Sequence, residues 1–113
     1  MNEFMMLFHY ESSDYQPTPE EIAASVKKWQ SWIGGLVREG SFVSTARLEH
    51  TGKLIQPGGV VTDGPYAEVK EMVGGNIVVK TATIDDAVAI AHGCPVLEVG
   101  GRVEVRPMIP VKF

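Results

Sequence analysis

Apolar side chains alternate from the start of the chain. Phe4, Met6, Phe8 and Tyr10 share one side of an extended segment, and Met5, Leu7 and His9 share the other. Both sides are largely apolar, which predicts a strand inside a sheet with cover on both faces. Residues 11–17 are polar and read as a loop. The period then changes to that of a helix. Thr18 can cap it, Pro19 suits its first position, and Glu21 closes a capping box. Its predicted stripe is Ile22, Val26, Trp29, Ile33, Leu36 and Val37, with Gly40 as a left-handed stop. Gly34 and Gly35 each cost roughly 1 kcal/mol against alanine, which suggests close backbone packing or a kink.

Residues 42–48 alternate and predict a second strand. Residues 52–59 read as a hairpin or a loop with a short strand, and 60–62 as a strand entering an Asp-Gly-Pro turn. Residues 67–73 are irregular or one helical turn, and 76–81 form a further strand with Ile77 and Val79 on one face. Thr83 caps a second helix, with Asp85 and Asp86 in its first turn, where the helix dipole favours negative charge. Its stripe is Ile84, Ala87, Val88 and Ala91, and Gly93 and Pro95 stop it. In the last strand, 102–106, Val103 and Val105 oppose Arg102, Glu104 and Arg106.

Two β-α-β units in this order predict an α+β, ferredoxin-like layer with both helices on one face of an antiparallel sheet. The other face should carry large apolar residues from 4–10 and 76–81. A second copy of the chain is its simplest cover, so a homodimer is expected. The 113 residues fit one domain.

Charge and composition narrow the function. A net charge of −4 argues against a nucleic-acid partner, because phosphate binding needs a basic face. No signal peptide is expected, and no apolar run approaches the roughly 18 residues of a membrane span. The single cysteine, Cys94, excludes an internal disulfide and suits a reducing, cytoplasmic setting.

The most informative stretch is Thr62-Asp63-Gly64-Pro65-Tyr66. Gly64 permits φ > 0 and Pro65 fixes φ near −65°, so Asp63 should leave its strand on a stiff backbone. Such an acid can act as a general base or orient one; it can also simply accept hydrogen bonds from the turn amides. His9 is a proton shuttle if its face lines a cleft, and a packed histidine otherwise. Arg106 can grip a substrate carboxylate or pair with Glu104. Tyr66 and Trp32 are candidate pocket walls; Trp29, three residues away, is expected to face a different way and enter the core. Lys70 and Glu71 form another charged pair. His50 and His92 read as surface residues, and Cys94 as a small buried residue. The histidine spacing suits no zinc site, so no metal is expected. Gly58-Gly59 and Gly100-Gly101 lack the features of a phosphate loop.

Two blocks resemble the YCII-related, or DGPF-domain, family. The first is Thr62-Asp63-Gly64-Pro65-Tyr66 with Glu68, Lys70, Glu71 and Gly74-Gly75. The second is Gly93-Cys94-Pro95, Gly100-Gly101 and Val103-Glu104-Val105-Arg106-Pro107. The opening strand and the segment from Trp29 to Gly35 resemble it too. The resemblance implies a dimeric α+β barrel, in which two sheets pack face to face, and a cleft holding the aspartate of the Asp-Gly-Pro motif. It also implies an enzyme-like branch similar to dehydrochlorinases acting on chlorinated aromatic rings, with a histidine–aspartate pair whose histidine lies on the first helix. Other members accompany extracytoplasmic-function sigma factors. The first helix here, residues 18–39, holds no histidine, so only Asp63 carries over.

Two functions follow as expectations. One is a cytoplasmic enzyme performing elimination or isomerisation on a small organic substrate. Asp63 would act with His9 or Tyr66, and such chemistry needs no cofactor. The other is a ligand-binding or regulatory module whose partner could be a sigma factor.

Overall fold

In the computed structural model, which describes residues 1–11, 15–64 and 71–112, the alternating N-terminal segment forms β1 (Asn2–Glu11). Thr18 then caps α1 (Pro19–Arg38) in a full capping box. Its hydroxyl accepts from the Glu21 amide at 3.1 Å, and the Glu21 carboxylate accepts from the Thr18 amide at 3.2 Å. At the other end Gly40 has φ of 76°, and the amides of Gly40 and Ser41 donate back to Val37 and Leu36. That is a Schellman ending, and it turns the chain into β2 (Phe42–Arg47).

A hairpin follows, made of β3 (Gly52–Ile55) and β4 (Val61–Gly64), with left-handed Gly58 and Gly59 at its turn. The chain continues through β5 (Glu71–Thr81), α2 (Ile84–Ala91), a 3₁₀ turn at Pro95–Val99 and β6 (Arg102–Pro107). Glu71–Val73, expected to be irregular or helical, are extended because they pair with β1. The rest of the expected irregular stretch lies outside the described residues.

The main sheet has the order β2-β5-β1-β6, every pairing antiparallel. This is the strand order of a ferredoxin-like layer, with the hairpin inserted as a separate two-stranded sheet. Met6, Ile77 and Val79 are fully buried between sheet and helices. Each contributes about 1.5–3 kcal/mol relative to exposure.

The helices cover less than their stripes predict. Trp29, Ile33 and Leu36 pack on the core, whereas Ile22, Val26 and Val37 are exposed. In α2 only Ala87 and Ala91 of the expected stripe are buried. The core lies under the C-terminal half of α1, where its side chains meet Phe8. Gly34 and Gly35 are not points of backbone contact; a Cβ there would meet only the guanidinium end of Arg38.

The molecule is a slab of 47 × 43 × 18 Å. Its radius of gyration is 15.9 Å, against about 13 Å for a compact domain of this length. One layer of helices on one sheet, with a hairpin beside it, produces that flatness. No helix among the described residues is long and apolar enough to cross a membrane.

Candidate functional site

The sheet face turned away from the helices carries the odd-numbered residues of β1. Met5 is in register with Val78 and Arg106, Leu7 with Asn76 and Glu104, and His9 with Val73 and Arg102. The expected broad apolar face is therefore a narrow strip of partly buried Met5 and Leu7, with Val78 already buried beside them, flanked by charged and polar groups. β6 is the reason: its core-facing side holds Val103 and Val105, so Arg102, Glu104 and Arg106 must face the other way.

His9 sits where the β1–β5 register breaks. Phe8 opposes Gly75 and His9 opposes Val73, leaving Gly74 as a bulge. The backbone of β1 is held there from the far side as well. A Cβ on Gly101 would come within 3.0 Å of the His9 carbonyl oxygen, so only glycine allows the two segments to approach. The imidazole reaches across to β6, where Nε2 lies 2.9 Å from Glu104 Oε1. The other carboxylate oxygen lies 3.9 Å from Arg106 Nε. His9 is mostly shielded and Glu104 half-exposed, so the pair is only partly screened by water.

Asp63 lies on the hairpin. It sits inside β4, in register with Lys53, and forms an ion pair with the Lys53 ammonium. Its side chain is 88% exposed. The expected left-handed Gly64 is not found. Gly64 is the last residue of β4, paired with Gly52, and its φ is not positive. The ladder runs through the Asp-Gly step because β3 offers a partner there; the turn of this hairpin is at Gly58-Gly59, and Pro65 and Tyr66 lie outside the described residues. Gly64 also lines a cleft of about 190 Å³ between the hairpin and the main sheet, together with Leu48, Lys53, Leu54, Met72 and Val73. Val73 is the cross-strand partner of His9, so this cleft joins the strand of Asp63 to the end of the sheet that carries His9.

A model of the YCII-related domain matches residues 3–112. The chain belongs to the YCII-related family. No curated protein matches it. Of the residues tied to that family's aspartate motif, Asp63 and Gly64 have been placed; Pro65, Tyr66, Glu68 and Lys70, and the side chain of Glu71, lie outside the described residues.

In the second YCII-related block, Gly93, Cys94 and Gly100 have structural parts, while Glu104 and Arg106 belong to the sheet face of His9. Gly93 seats Trp32: a Cβ there would be 3.2 Å from the indole Nε1 and Cδ1. Cys94 is buried, and burial pushes its thiol up to about 11. Gly100, with φ of 83°, ends the 3₁₀ turn. Trp32 and Trp29 do not diverge. Their rings meet edge to face at 5.7 Å, and both contact Phe8, because three residues along a helix is a same-side spacing. Trp32 donates to the Ile90 carbonyl at 3.2 Å and lines a shallow groove between α1 and α2 with Gly35 and Gly93. It is on the helix side of the sheet, away from His9 and Arg106.

The structure thus joins His9 to Glu104 and, more loosely, Glu104 to Arg106, and joins Asp63 to Lys53. Two of these partners were missed as such. Glu104 had a signal, its position opposite Val103 and Val105; Lys53 had one in the Gly58-Gly59 turn that sets the hairpin register. His50 and His92 are exposed. Among the described residues no cluster of His, Cys, Asp or Glu is arranged to hold a metal ion.

Proposed function

We propose that this YCII-related protein is a homodimeric enzyme performing cofactor-independent acid–base chemistry, elimination or isomerisation, on a small organic substrate. The observation that carries the reading is the His9–Glu104 pair beside the register break, on a sheet face that its own helices do not cover. A mostly shielded imidazole held by a carboxylate is a base together with its orienter.

A second copy packed face to face, as in a dimeric α+β barrel, would bury what remains exposed of Met5 and Leu7, beside the already buried Val78, and shelter the polar rim around them. The flatness of the slab supports this, since a single layer leaves half of a sheet wet. Arg106, with its guanidinium exposed on the same face, is suited to anchoring a carboxylate. Asp63 serves as the second acid–base group only if assembly or substrate draws it from Lys53 and out of solvent. The one thiol, buried Cys94, suits a reducing cytoplasm.

A panel of small carboxylates and halogenated aromatics, followed by one-dimensional NMR for product formation, tests the reading. Turnover lost in His9→Ala, with the dimer intact, is expected. Undiminished turnover in both His9→Ala and Asp63→Asn would overturn the assignment. Saturable binding of panel compounds without any turnover would favour the ligand-binding module instead.

A further inference from the structure

We infer that Glu104 is a positioning residue that locks His9 in its Nε2–H tautomer and leaves Nδ1 as the basic atom. The inference rests on the acid–base reading for its catalytic meaning, and on geometry alone for the tautomer.

A carboxylate can only accept hydrogen bonds. At 2.9 Å from Glu104 Oε1, His9 Nε2 must therefore be the donor. When the imidazole is neutral, the proton is on Nε2 and the lone pair on Nδ1. Glu104 is itself held in place. It lies in register with Leu7, one diagonal step from His9, within reach of a long side chain. Arg106 Nε lies 3.9 Å from its other oxygen, Oε2. The bulge at Gly74 and the close approach of Gly101 fix the backbone from which the ring projects. A ring so held cannot turn over to offer Nε2, so any proton His9 takes from a substrate goes to Nδ1.

The test is a two-bond ¹H–¹⁵N correlation spectrum of the uniformly ¹⁵N-labelled full chain at pH about 8.5, where an ordinary imidazole is neutral. His9→Gln assigns the signals, and exposed His50 and His92 are internal references for unlocked rings. His9 is expected to show a protonated Nε2 and a bare Nδ1, more completely than the references. Glu104→Ala should return it to their averaged pattern. Glu104 is half-exposed on an edge strand, so this variant should keep the wild-type urea midpoint. With any substrate found, Glu104→Ala should lower kcat by about tenfold or more and leave KM nearly unchanged.

A wild-type His9 averaged like His50 and His92 would overturn the inference, and so would a lock that survives Glu104→Ala. A lock released by Glu104→Ala, in a protein that turns over nothing, would sustain the positioning role and sink the enzymatic reading. The two failures are thus separable.

Discussion

A Cβ atom on Gly74 would stand 2.6 Å from Cδ2 of Tyr10. The phenol ring lies over the bulge where any larger residue would need room. Tyr10 is partly buried against the core, and burial is the main cause raising its hydroxyl above the usual tyrosine range. Gly74→Ala must push this ring aside, which should cost about 1–3 kcal/mol in urea unfolding. The displaced ring should also titrate closer to an ordinary tyrosine. In a Tyr10→Ala background the same substitution should cost less than about 0.5 kcal/mol. Equal costs in both backgrounds would show that the ring is not what excludes a side chain at Gly74.

Asp63 and Lys53 form an ion pair between two largely exposed side chains, 88% and 69% exposed. Such pairs are worth about 0.2–1 kcal/mol. Asp63→Asn should therefore lower the unfolding free energy measured in urea by no more than that. If Asp63 takes part in chemistry, turnover of a panel substrate should fall about 100-fold or more in the same variant. A loss of unfolding free energy above about 2 kcal/mol would instead make Asp63 structural. Loss of stability without loss of turnover would remove it from the site.

Much of the fold was legible because its signals are local. Thr18 with Glu21, and Thr83 before Asp85 and Asp86, mark helix starts through groups three residues apart, and both caps form. Alternation in 4–10 and 102–106 separates core from outer face correctly. The site was harder to read, because its partners are set by sheet order and register. His9 and Glu104 are 95 residues apart and meet only because β1 lies beside β6, with Leu7 opposite Glu104. The same cause defeats the reading of Gly64. A glycine before a proline suggests a turn, but pairing with Gly52 holds it extended. Trp29 and Trp32 were misread for a simpler reason, since residues three apart share a helix side.

Cys94 is 2% exposed, and burial pushes its thiol from 9.0 up to about 11. The folded chain therefore keeps its proton where the unfolded chain has lost it. The effect on stability is nil below pH 9.0. Between 9.0 and about 11 the unfolded state binds fewer protons, so stability falls as pH rises, by at most roughly 1.4 kcal/mol per pH unit from this group. Cys94→Ala should flatten that part of the profile. At pH 8 an alkylating reagent should modify the wild-type thiol only at the rate of unfolding. Modification as fast as that of a free thiol, under native conditions, would place Cys94 on the surface.

Met5 is partly buried on the sheet face away from the helices, in register with buried Val78 on one side and Arg106 on the other. Met5→Glu puts a carboxylate directly opposite a guanidinium. A single chain should tolerate this well, because the new side chain stays in contact with water and gains a cross-strand partner worth about 0.2–1 kcal/mol. A dimer packed through this face would have to bury the charge on both copies at once, at several kcal/mol per ion before pairing. Sedimentation equilibrium should therefore show a wild-type dimer at micromolar concentration, and Met5→Glu as a folded monomer with dissociation at least about 100-fold easier. The unfolding transition of the variant should then lose the dependence on protein concentration that the wild type shows. A wild type that sediments as a monomer, or a Met5→Glu dimer as tight as the wild type, would mean that this sheet face is not where two copies meet. The shelter proposed for His9 and Glu104 would then have to come from a ligand or another protein.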